Sequence, residues 1–298
     1  MHCYAPSVQP SEQFVLLRGY RHRTLHWGPQ SQPPIFLLHG FQDCVDTFQM
    51  LIDALPRSWR FIGLDWRGFG GSDWQNSPYW FPDYLADLDA LLDLMAPDSA
   101  VTLLGHSMGG NVASLYAGIR PERVARLISL EGFGLPRTPP EHAPERYTKW
   151  LEQLRAGPQP SRYDSVDLLA AHLRQRNARL PEENAAFIAK AWMQRTENGL
   201  PRMHFDPFHR YVNPVLHRRE EAEACWHRVE ADTLLVLATE SEYRRRLDHE
   251  GDVERMHRCF KHLSVEDMQG LGHMMHHEHP ARVAEVIFRW WSSRSGRQ

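Results

Sequence analysis

The stretch LLGHSMGGNV, residues 103–112, places a serine between glycines at the end of an apolar run. Gly105 and Gly109 lie two residues before and two residues after Ser107, which gives the pattern G-x-S-x-G. The residues before the pattern are apolar, as in a buried strand, and those after it suit a helix. Small residues at these two places let a strand turn sharply into a helix, so the serine hydroxyl projects from the turn. The stretch therefore predicts a nucleophile at Ser107.

Short apolar runs elsewhere in the chain predict a parallel sheet. Helix-like patterns separate these runs, and alternating strands and helices indicate an α/β protein with helices on both faces of the sheet. Residues 13–28 are predicted as an antiparallel pair at its start. The other strands are predicted at residues 34–40, 60–66, 100–106, 125–132, 232–238 and 261–268.

Two helical regions complete the predicted architecture. In residues 80–95 the apolar side chains recur on one face, and Asp83, Asp87 and Asp93 lie mostly away from it. After residue 134 the chain becomes rich in proline and then helical, and no strand signal returns before residue 232. We therefore expect residues 134–226 to be a helical insertion between two strands of the sheet.

A serine hydroxyl is a weak nucleophile and needs a base, for which histidine is well suited. The chain has 18 histidines, so position has to select one of them. His273 follows Gly272 after the last predicted strand and precedes a predicted terminal helix at residues 280–292. Where a serine occupies such a turn between strand and helix, the catalytic residues follow the order serine, acid, histidine along the chain. His273 is placed to be the last of them, and we expect it to be the general base.

Three more histidines follow closely, at positions 276, 277 and 279. Such a cluster can bind a metal, but exposed histidines at the start of a helix are the simpler explanation, and we favour it. We therefore predict neither a metal site nor a cofactor for this chain.

Backbone N–H groups must face the negative charge that develops on an acyl substrate. Met108 follows the nucleophile and is expected to supply one of them. The second is expected from Phe41, in the loop at residues 37–43, because Gly40 lets the backbone of this loop approach the substrate closely. We also expect substrate contacts at five residues, namely His39, Gly40, His106, Trp150 and Trp192.

Together these motifs resemble the α/β-hydrolase family, and in particular small capped bacterial hydrolases and serine-hydrolase-like proteins. The matching residues are 39–41 (HGF), 65–72 (DWRGFGGS), 105–110 (GHSMGG) and 272–273 (GH). The resemblance implies an eight-stranded, mostly parallel sheet with a helical cap inserted after the sixth strand. Residues 134–226 would then be the cap, and residues 1–133 and 227–298 the core.

The acid that should orient His273 has more than one candidate. Members of the family usually carry it after the seventh strand, but the aligned residue here is Ser241, flanked by Glu240 and Glu242. Some haloalkane dehalogenases, which look similar, place a glutamate at the end of the sixth strand, where this chain has Glu131. An unpaired charge after an apolar strand would be costly, so a histidine partner would explain Glu131. A salt bridge to an arginine of the insertion is the alternative, and we favour Glu131 as the acid.

These residues predict a serine hydrolase that cleaves a small ester or a related acyl compound through an acyl-enzyme. A dehalogenase or an epoxide hydrolase of this fold would carry an aspartate nucleophile, so Ser107 argues against both. Carbon–carbon bond hydrolases, acyltransferases and cofactor-free perhydrolases use the same triad and stay open as alternatives. A ligand-binding member without turnover is a further alternative, against which the presence of both Ser107 and His273 argues.

The composition of the chain argues against several other classes of protein. The chain has 298 residues, of which 42% are hydrophobic and 24% charged, as in a globular protein. Its formal net charge of −3 does not suggest a nucleic-acid partner. The four cysteines form no C-x-x-C motif, and neither a signal peptide nor a membrane span is recognisable. We expect a cytoplasmic protein whose partner is a small acyl compound.

Overall fold

The computed structural model describes residues 2–161, 163–195, 201–247 and 252–294 of the chain. Within these residues, eight strands form one main sheet and two short strands form a separate hairpin. The strands are β1 (Ser11–Leu17), β2 (Tyr20–Trp27), β3 (Pro34–Leu38), β4 (Arg60–Leu64), β5 (Val101–His106), β6 (Val124–Leu130), β7 (Met193–Arg195), β8 (Pro201–Met203), β9 (Asp232–Ala238) and β10 (Leu263–Met268).

The main sheet has the order β1-β2-β4-β3-β5-β6-β9-β10. β1 and β2 pair antiparallel, as do β2 and β4, whereas the other neighbouring strands run parallel. This arrangement confirms the predicted eight-stranded, mostly parallel sheet. Because the carboxyl ends of parallel strands meet at one edge, the residues that follow β3, β5, β6, β9 and β10 come together there.

Helices cover both faces of the sheet. They are α1 (Gln49–Ala54), α2 (Phe81–Met95), α3 (Met108–Ile119), α4 (Ala143–Ala156), α5 (Val166–Arg176), α6 (Glu182–Trp192), α7 (Arg219–Trp226), α8 (Glu242–Leu247), α9 (Val253–Cys259), α10 (Met275–Glu278) and α11 (Pro280–Ser292). None of the described helices is long and apolar enough to cross a membrane.

Alternate residues of β3 point into two separate apolar clusters, one on each face of the sheet. Phe36 and Leu38 belong to the cluster beneath α2 and α3. Ile35 and Leu37 belong to the cluster beneath α1 and α11. Burial on both faces explains why the parallel strands are apolar along their whole length rather than at every second position.

The prediction that Asp87 faces away from the core is wrong. Its side chain is fully buried, and Arg67 Nε donates to Asp87 Oδ2 at 2.5 Å while a second, very short bond joins the same two groups. Burial opposes ionisation, but contacts with His22 and Arg67 hold the pKa of Asp87 below its usual value. The helix therefore buries a charge because an arginine from the loop after β4 reaches it.

Residues 134–226, which we call the inserted segment, lie between β6 and β9. Arg162 and residues 196–200 of this segment lie outside the described residues. The expected helices are present as α4, α5 and α6, but β7 and β8 add a hairpin that was not predicted. Three residues per strand are too few for a periodic pattern to appear in the sequence.

The inserted segment contacts the core through its last helix, α7. α7 packs against α3 of the core, and its Ala222 and Trp226 are buried. The two helices approach so closely that a Cβ at Gly118 would lie 1.9 Å from the carbonyl oxygen of Cys225. The inserted segment therefore ends in a helix that packs directly on α3 of the core.

His209 joins the inserted segment to the core. Its ring stacks between Phe69 and Tyr79, with centroid separations of 3.7 and 3.6 Å. Nδ1 lies 3.2 Å from the hydroxyl oxygen of Tyr84. Burial lowers the pKa of His209 from 6.5 to about 3, so the folded chain holds this imidazole neutral.

This lowered pKa predicts a loss of stability in acid. The unfolded chain binds a proton at His209 below about pH 6.5 whereas the folded chain does not, so stability is lost as pH falls from 6.5 towards 3. One such proton changes the free energy of unfolding by about 1.4 kcal/mol per pH unit. We expect His209→Phe, which keeps the stacking, to lower this slope by that amount between pH 6 and pH 5. Urea unfolding at both pH values measures the slope.

The control for this variant is His257→Phe, at an exposed histidine. That substitution should leave the slope unchanged. Equal slopes for wild type and His209→Phe would show that His209 is protonated alike in the folded and unfolded chains.

Candidate active site

Ser107 occupies a strained turn between β5 and α3. Its φ and ψ are 51° and −114°, a combination that costs a residue with a side chain about 1–3 kcal/mol. A Cβ at Gly105 would lie 2.5 Å from the main chain of Gly109. A Cβ at Gly109 would lie 2.0 Å from the carbonyl oxygen of Leu38. Both glycines of the G-x-S-x-G pattern are thus required by close backbone contacts, and the serine is held at the start of a helix.

His273 lies beside this serine, in the turn between β10 and α10. Its Nε2 is 2.9 Å from Ser107 Oγ, within hydrogen-bond distance. The ring of Tyr243, at the start of α8, stacks on the imidazole with centroids 4.2 Å apart. The imidazole side chain is 18% exposed, so solvent reaches it.

The carboxylate of Glu131 stands on the other side of this imidazole. Glu131 follows β6 and is buried, and its Oε2 lies 3.1 Å from His273 Nδ1. The backbone N–H of Ala238 donates to Oε1 at 2.7 Å, and the Ser241 hydroxyl donates to Oε2 in a very short bond. Because an ionised carboxylate only accepts hydrogen bonds, Nδ1 carries the proton and Nε2 is left to accept from the serine.

The two alternative acids lie elsewhere. Glu240 is exposed, and its backbone N–H donates to the carbonyl oxygen of Leu271. Glu242 is 75% exposed at its side chain and pairs with Arg246 at 3.8 Å. Ser241, which stands where the family usually has its acid, donates its hydroxyl proton to Glu131 Oε2. Our reasoning from the sequence had assigned no role to this serine.

The loop after β3 lies against the nucleophile turn. A Cβ at Gly40 would lie 2.8 Å from His106 Nδ1 and 3.4 Å from Ser107 Cβ. Phe41 follows in this loop with a side chain that is 47% exposed, and Met108 is the first residue of α3. The structure thus brings both expected N–H donors to segments that adjoin Ser107.

The histidines that we expected to contact substrate are buried instead. His39 Nε2 accepts from the backbone N–H of Trp66 at 3.1 Å, and its Nδ1 lies 2.8 Å from the Gly40 carbonyl oxygen. His106 Nε2 lies 2.9 Å from the carbonyl oxygen of His273. Burial and the neighbouring His273 lower the pKa of His106 well below 6.5. Both rings hold backbone segments in place rather than forming the surface of the site.

The two tryptophans that we expected to contact substrate, Trp150 and Trp192, differ from each other. Trp192 is half-buried at the end of α6, and its Nε1 donates to Asp43 Oδ1 at 2.8 Å. Trp150 is half-buried in α4, and its Nε1 has no hydrogen-bond partner among the described residues. Trp192 therefore fastens the inserted segment to the loop after β3.

The prediction that the histidines after His273 are exposed is correct for His279 only. His276 and His277 are buried, with 0% and 2% of their surfaces exposed. The short helix α10 turns them inward, and the ring of His276 packs against Phe48 with centroids 5.4 Å apart.

Glu278 is a further buried acid that our reasoning from the sequence missed. Its Oε2 accepts from the backbone N–H of Gly272 at 2.7 Å and from Arg179 Nε at 3.1 Å. Its Oε1 accepts from Asn177 Nδ2 at 2.8 Å. Glu278 therefore ties the residue before His273 to the loop between α5 and α6.

We expect Glu278→Ala to lower the free energy of unfolding by about 1–3 kcal/mol, because the buried Gly272 N–H loses its acceptor. Urea unfolding measures this change. Glu285→Ala removes an exposed acid from α11 and should leave stability close to wild type. Equal stability of both variants would show that water replaces the Glu278 carboxylate at no cost.

Several known proteins are similar to this chain in sequence. The family model for the alpha/beta hydrolase fold matches residues 33–280. A serine hydrolase-like protein of Danio rerio is 24% identical over 279 residues, which cover 88% of this chain and 82% of that protein. Serine hydrolase-like protein 2 of Homo sapiens is 27% identical over 181 residues, which cover 58% of this chain and 57% of that protein.

Solved structures of other proteins share the fold of this chain. The thioesterase domain from the curacin biosynthetic pathway superimposes with a TM-score of 0.81 at 25% identity, covering 94% of this chain and 99% of that one. A hypothetical protein from Pseudomonas aeruginosa also reaches a TM-score of 0.81, at 23% identity, covering 95% of this chain and 99% of its own. Because the family model matches most of its length, this chain belongs to the α/β-hydrolase fold family.

Proposed function

We propose that the chain is a serine hydrolase that cleaves a small ester or a related acyl compound. The observation that carries this proposal is a continuous series of contacts from Ser107 Oγ to His273 Nε2 at 2.9 Å and from His273 Nδ1 to Glu131 Oε2 at 3.1 Å. A nucleophile within reach of a base, and a base oriented by an acid, is the arrangement that acyl transfer requires.

In the first half of the reaction, Ser107 Oγ attacks the acyl carbon while its proton passes to His273 Nε2. The carbonyl oxygen becomes an oxyanion, and the backbone N–H groups of Phe41 and Met108 are the proposed donors to it. His273 then gives the proton to the leaving oxygen, the bond between that oxygen and the acyl carbon breaks, and the alcohol departs. The acyl group stays on Ser107.

In the second half, water takes the place of the alcohol. His273 Nε2 accepts a proton from the water as its oxygen attacks the acyl carbon, and the same donors stabilise the second oxyanion. The bond to Ser107 Oγ breaks, Oγ regains the proton from His273, and the carboxylic acid is released. Glu131 keeps the proton of the imidazole on Nδ1 in both halves and stabilises the imidazolium that forms.

The surface near Ser107 supports a partly apolar substrate. Tyr243 is 43% exposed and stacks on His273, and Phe41 is 47% exposed beside the nucleophile turn. His209 of the inserted segment contacts Phe41, with ring centroids 6.2 Å apart. We propose that residues 134–218 act as a cap over this surface, with Trp150 as a substrate contact, and that Trp192 has an anchoring role.

Covalent labelling tests the proposal directly. A fluorophosphonate probe reacts with an activated serine, so peptide mass spectrometry should find the label on Ser107. The Ser107→Ala variant should take up no label, while Ser99→Ala, at an exposed serine, should be labelled as in wild type. A folded wild-type protein without label at Ser107 would contradict the proposal and favour a ligand-binding role.

The acyl specificity can then be measured by comparing rates of hydrolysis across a panel of p-nitrophenyl esters of graded chain length. Thioesters with the same acyl groups belong in the panel, because the similar curacin-pathway domain is described as a thioesterase. Turnover of at least one ester or thioester is the expected result. If wild-type protein that reacts with the fluorophosphonate probe hydrolyses no member of either series, the reaction is one of the other chemistries of the same triad.

A further inference from the structure

Three buried side chains form a cluster beside the proposed active site. Asp43 lies in the loop after β3, and His276 and His277 lie in α10. Their exposed fractions are 3%, 0% and 2%. One potential ligand atom from each lies within 4.8 Å of the other two, and His277 Nε2 is 3.6 Å from Asp43 Oδ2. Two imidazoles and a carboxylate thus converge in the interior of the protein.

The polar atoms of this cluster lack partners within the protein. Among the described residues, Asp43 Oδ2, both ring nitrogens of His276 and Nε2 of His277 form no hydrogen bond. Buried polar atoms are nearly always paired with protein groups, water or ions, because an unpaired one loses its hydration without compensation. Several such atoms in one place indicate a binding site for a group that accepts their lone pairs.

The carboxylate of Asp43 is held in one orientation by its other oxygen. Oδ1 accepts from the backbone N–H of Cys44 at 2.9 Å, from Thr47 Oγ1 at 2.9 Å and from Trp192 Nε1 at 2.8 Å. These three donors leave Oδ2 directed towards His277. Within the described residues, no arginine or lysine forms an ion pair with Asp43, so its buried charge has no cationic side chain beside it.

We propose that Asp43, His276 and His277 bind a divalent transition-metal ion, for which Zn²⁺ is the model. Imidazole nitrogen with carboxylate oxygen is a ligand set typical of zinc, whereas calcium and magnesium prefer oxygen ligands alone. Ligand bonds of about 2.0 Å in tetrahedral geometry put neighbouring ligand atoms about 3.3 Å apart, close to the 3.6 Å between Asp43 and His277. The fixed orientation of Asp43 supplies the support that metal ligands need from neighbouring groups.

The proposed site differs from the expectation of no metal, which rested on exposed histidines, because His276 and His277 are buried. It also lies next to the turn that carries His273. The ring of His276 is 4.2 Å from that of His106, and His106 Nε2 is 2.9 Å from the His273 carbonyl oxygen. We assign the ion a stabilising role in this turn and no step of the reaction.

Zinc binding by the complete chain tests the inference. Protein freed of metal by a chelator is dialysed against Zn²⁺, and bound zinc is measured by mass spectrometry together with the Tm. We expect about one zinc ion per wild-type chain and a higher Tm in its presence. Asp43→Asn and His277→Gln, which keep side-chain volume, should weaken the affinity at least ~10-fold. His279→Gln, at an exposed histidine two residues away, should bind zinc as wild type does.

Two results would overturn the inference. One is a wild-type chain that takes up no zinc, and the other is zinc binding that both substitutions at the cluster leave intact. If a variant fails to fold, as judged by circular dichroism, cobalt bound to the wild-type chain decides instead. The spectrum should then show tetrahedral coordination by nitrogen and oxygen, and its absence would mean that Asp43 and His277 lie side by side without binding a metal. None of these measurements depends on the proposed hydrolase activity.

Discussion

Replacing Ser107 with alanine is expected to lower kcat for ester hydrolysis by at least ~10³-fold, because the nucleophile and base of a serine hydrolase act as a unit. The variant keeps the strained backbone of the turn and removes only the hydroxyl that lies 2.9 Å from His273 Nε2. Steady-state assays with p-nitrophenyl acetate, and with the best ester of the graded series, measure the loss in kcat.

The fold should survive this substitution, since the side chain fills no part of the apolar core. Circular dichroism and the Tm should therefore match those of wild type. Ser99→Ala is the matched control, since it removes a hydroxyl at an exposed site and should keep full activity. Turnover close to wild type in Ser107→Ala would mean that another group attacks the substrate, and the proposed mechanism would be wrong.

The fold could be predicted from the sequence because the parallel strands are buried on both faces of the sheet. Such strands appear in the sequence as short apolar runs. The turn at Ser107 was readable for a related reason. Gly105 and Gly109 touch neighbouring backbones that leave no space for a Cβ, so the pattern of small residues records the geometry itself. Predicted and observed positions agree closely for the terminal helix, which spans Pro280–Ser292.

Buried charges were not readable, because their partners are distant in the sequence. Asp87 is satisfied by Arg67, which precedes it by 20 residues, and nothing in the helical pattern marks that contact. Glu278 is buried against the loop between α5 and α6, about a hundred residues earlier. Hydrophobic periodicity treats a charged residue as exposed, so it fails wherever tertiary structure brings a partner to the charge.

The surroundings of Glu131, the proposed acid, show how a departure from a family pattern can be informative. Ser241 stands where an acid is expected, and the sequence alone offered Glu131, Glu240 and Glu242 as substitutes. The structure brings Ser241 to the carboxylate of Glu131 over a separation of 110 residues. A serine in place of the usual acid is thus compatible with a glutamate just after the neighbouring strand, β6, and the serine hydroxyl helps to hold that glutamate.

Replacing Glu131 with glutamine is expected to lower kcat by ~10⁴-fold, the loss found when an amide replaces the acid of a serine triad. The geometry gives a specific reason. The Ala238 N–H donates to Oε1 at 2.7 Å, so the amide oxygen of glutamine keeps that position and its NH₂ group takes the place of Oε2. An NH₂ group facing His273 Nδ1 must donate to it, which moves the imidazole proton to Nε2. The ring can then no longer accept the proton of Ser107.

This tautomer argument separates Glu131 from the alternative acids. Glu240→Gln and Glu242→Gln change exposed side chains and should leave kcat close to wild type, although they alter charge by the same amount. Because the amide has nearly the volume of the carboxylate, a cavity cannot explain the loss in Glu131→Gln. An unchanged midpoint of unfolding by denaturant would exclude gross misfolding of the variant. If Glu131→Gln keeps its activity while Glu240→Gln or Glu242→Gln loses it, the loop after β9 supplies the acid. The contact of Glu131 with His273 would then only hold the strand ends together.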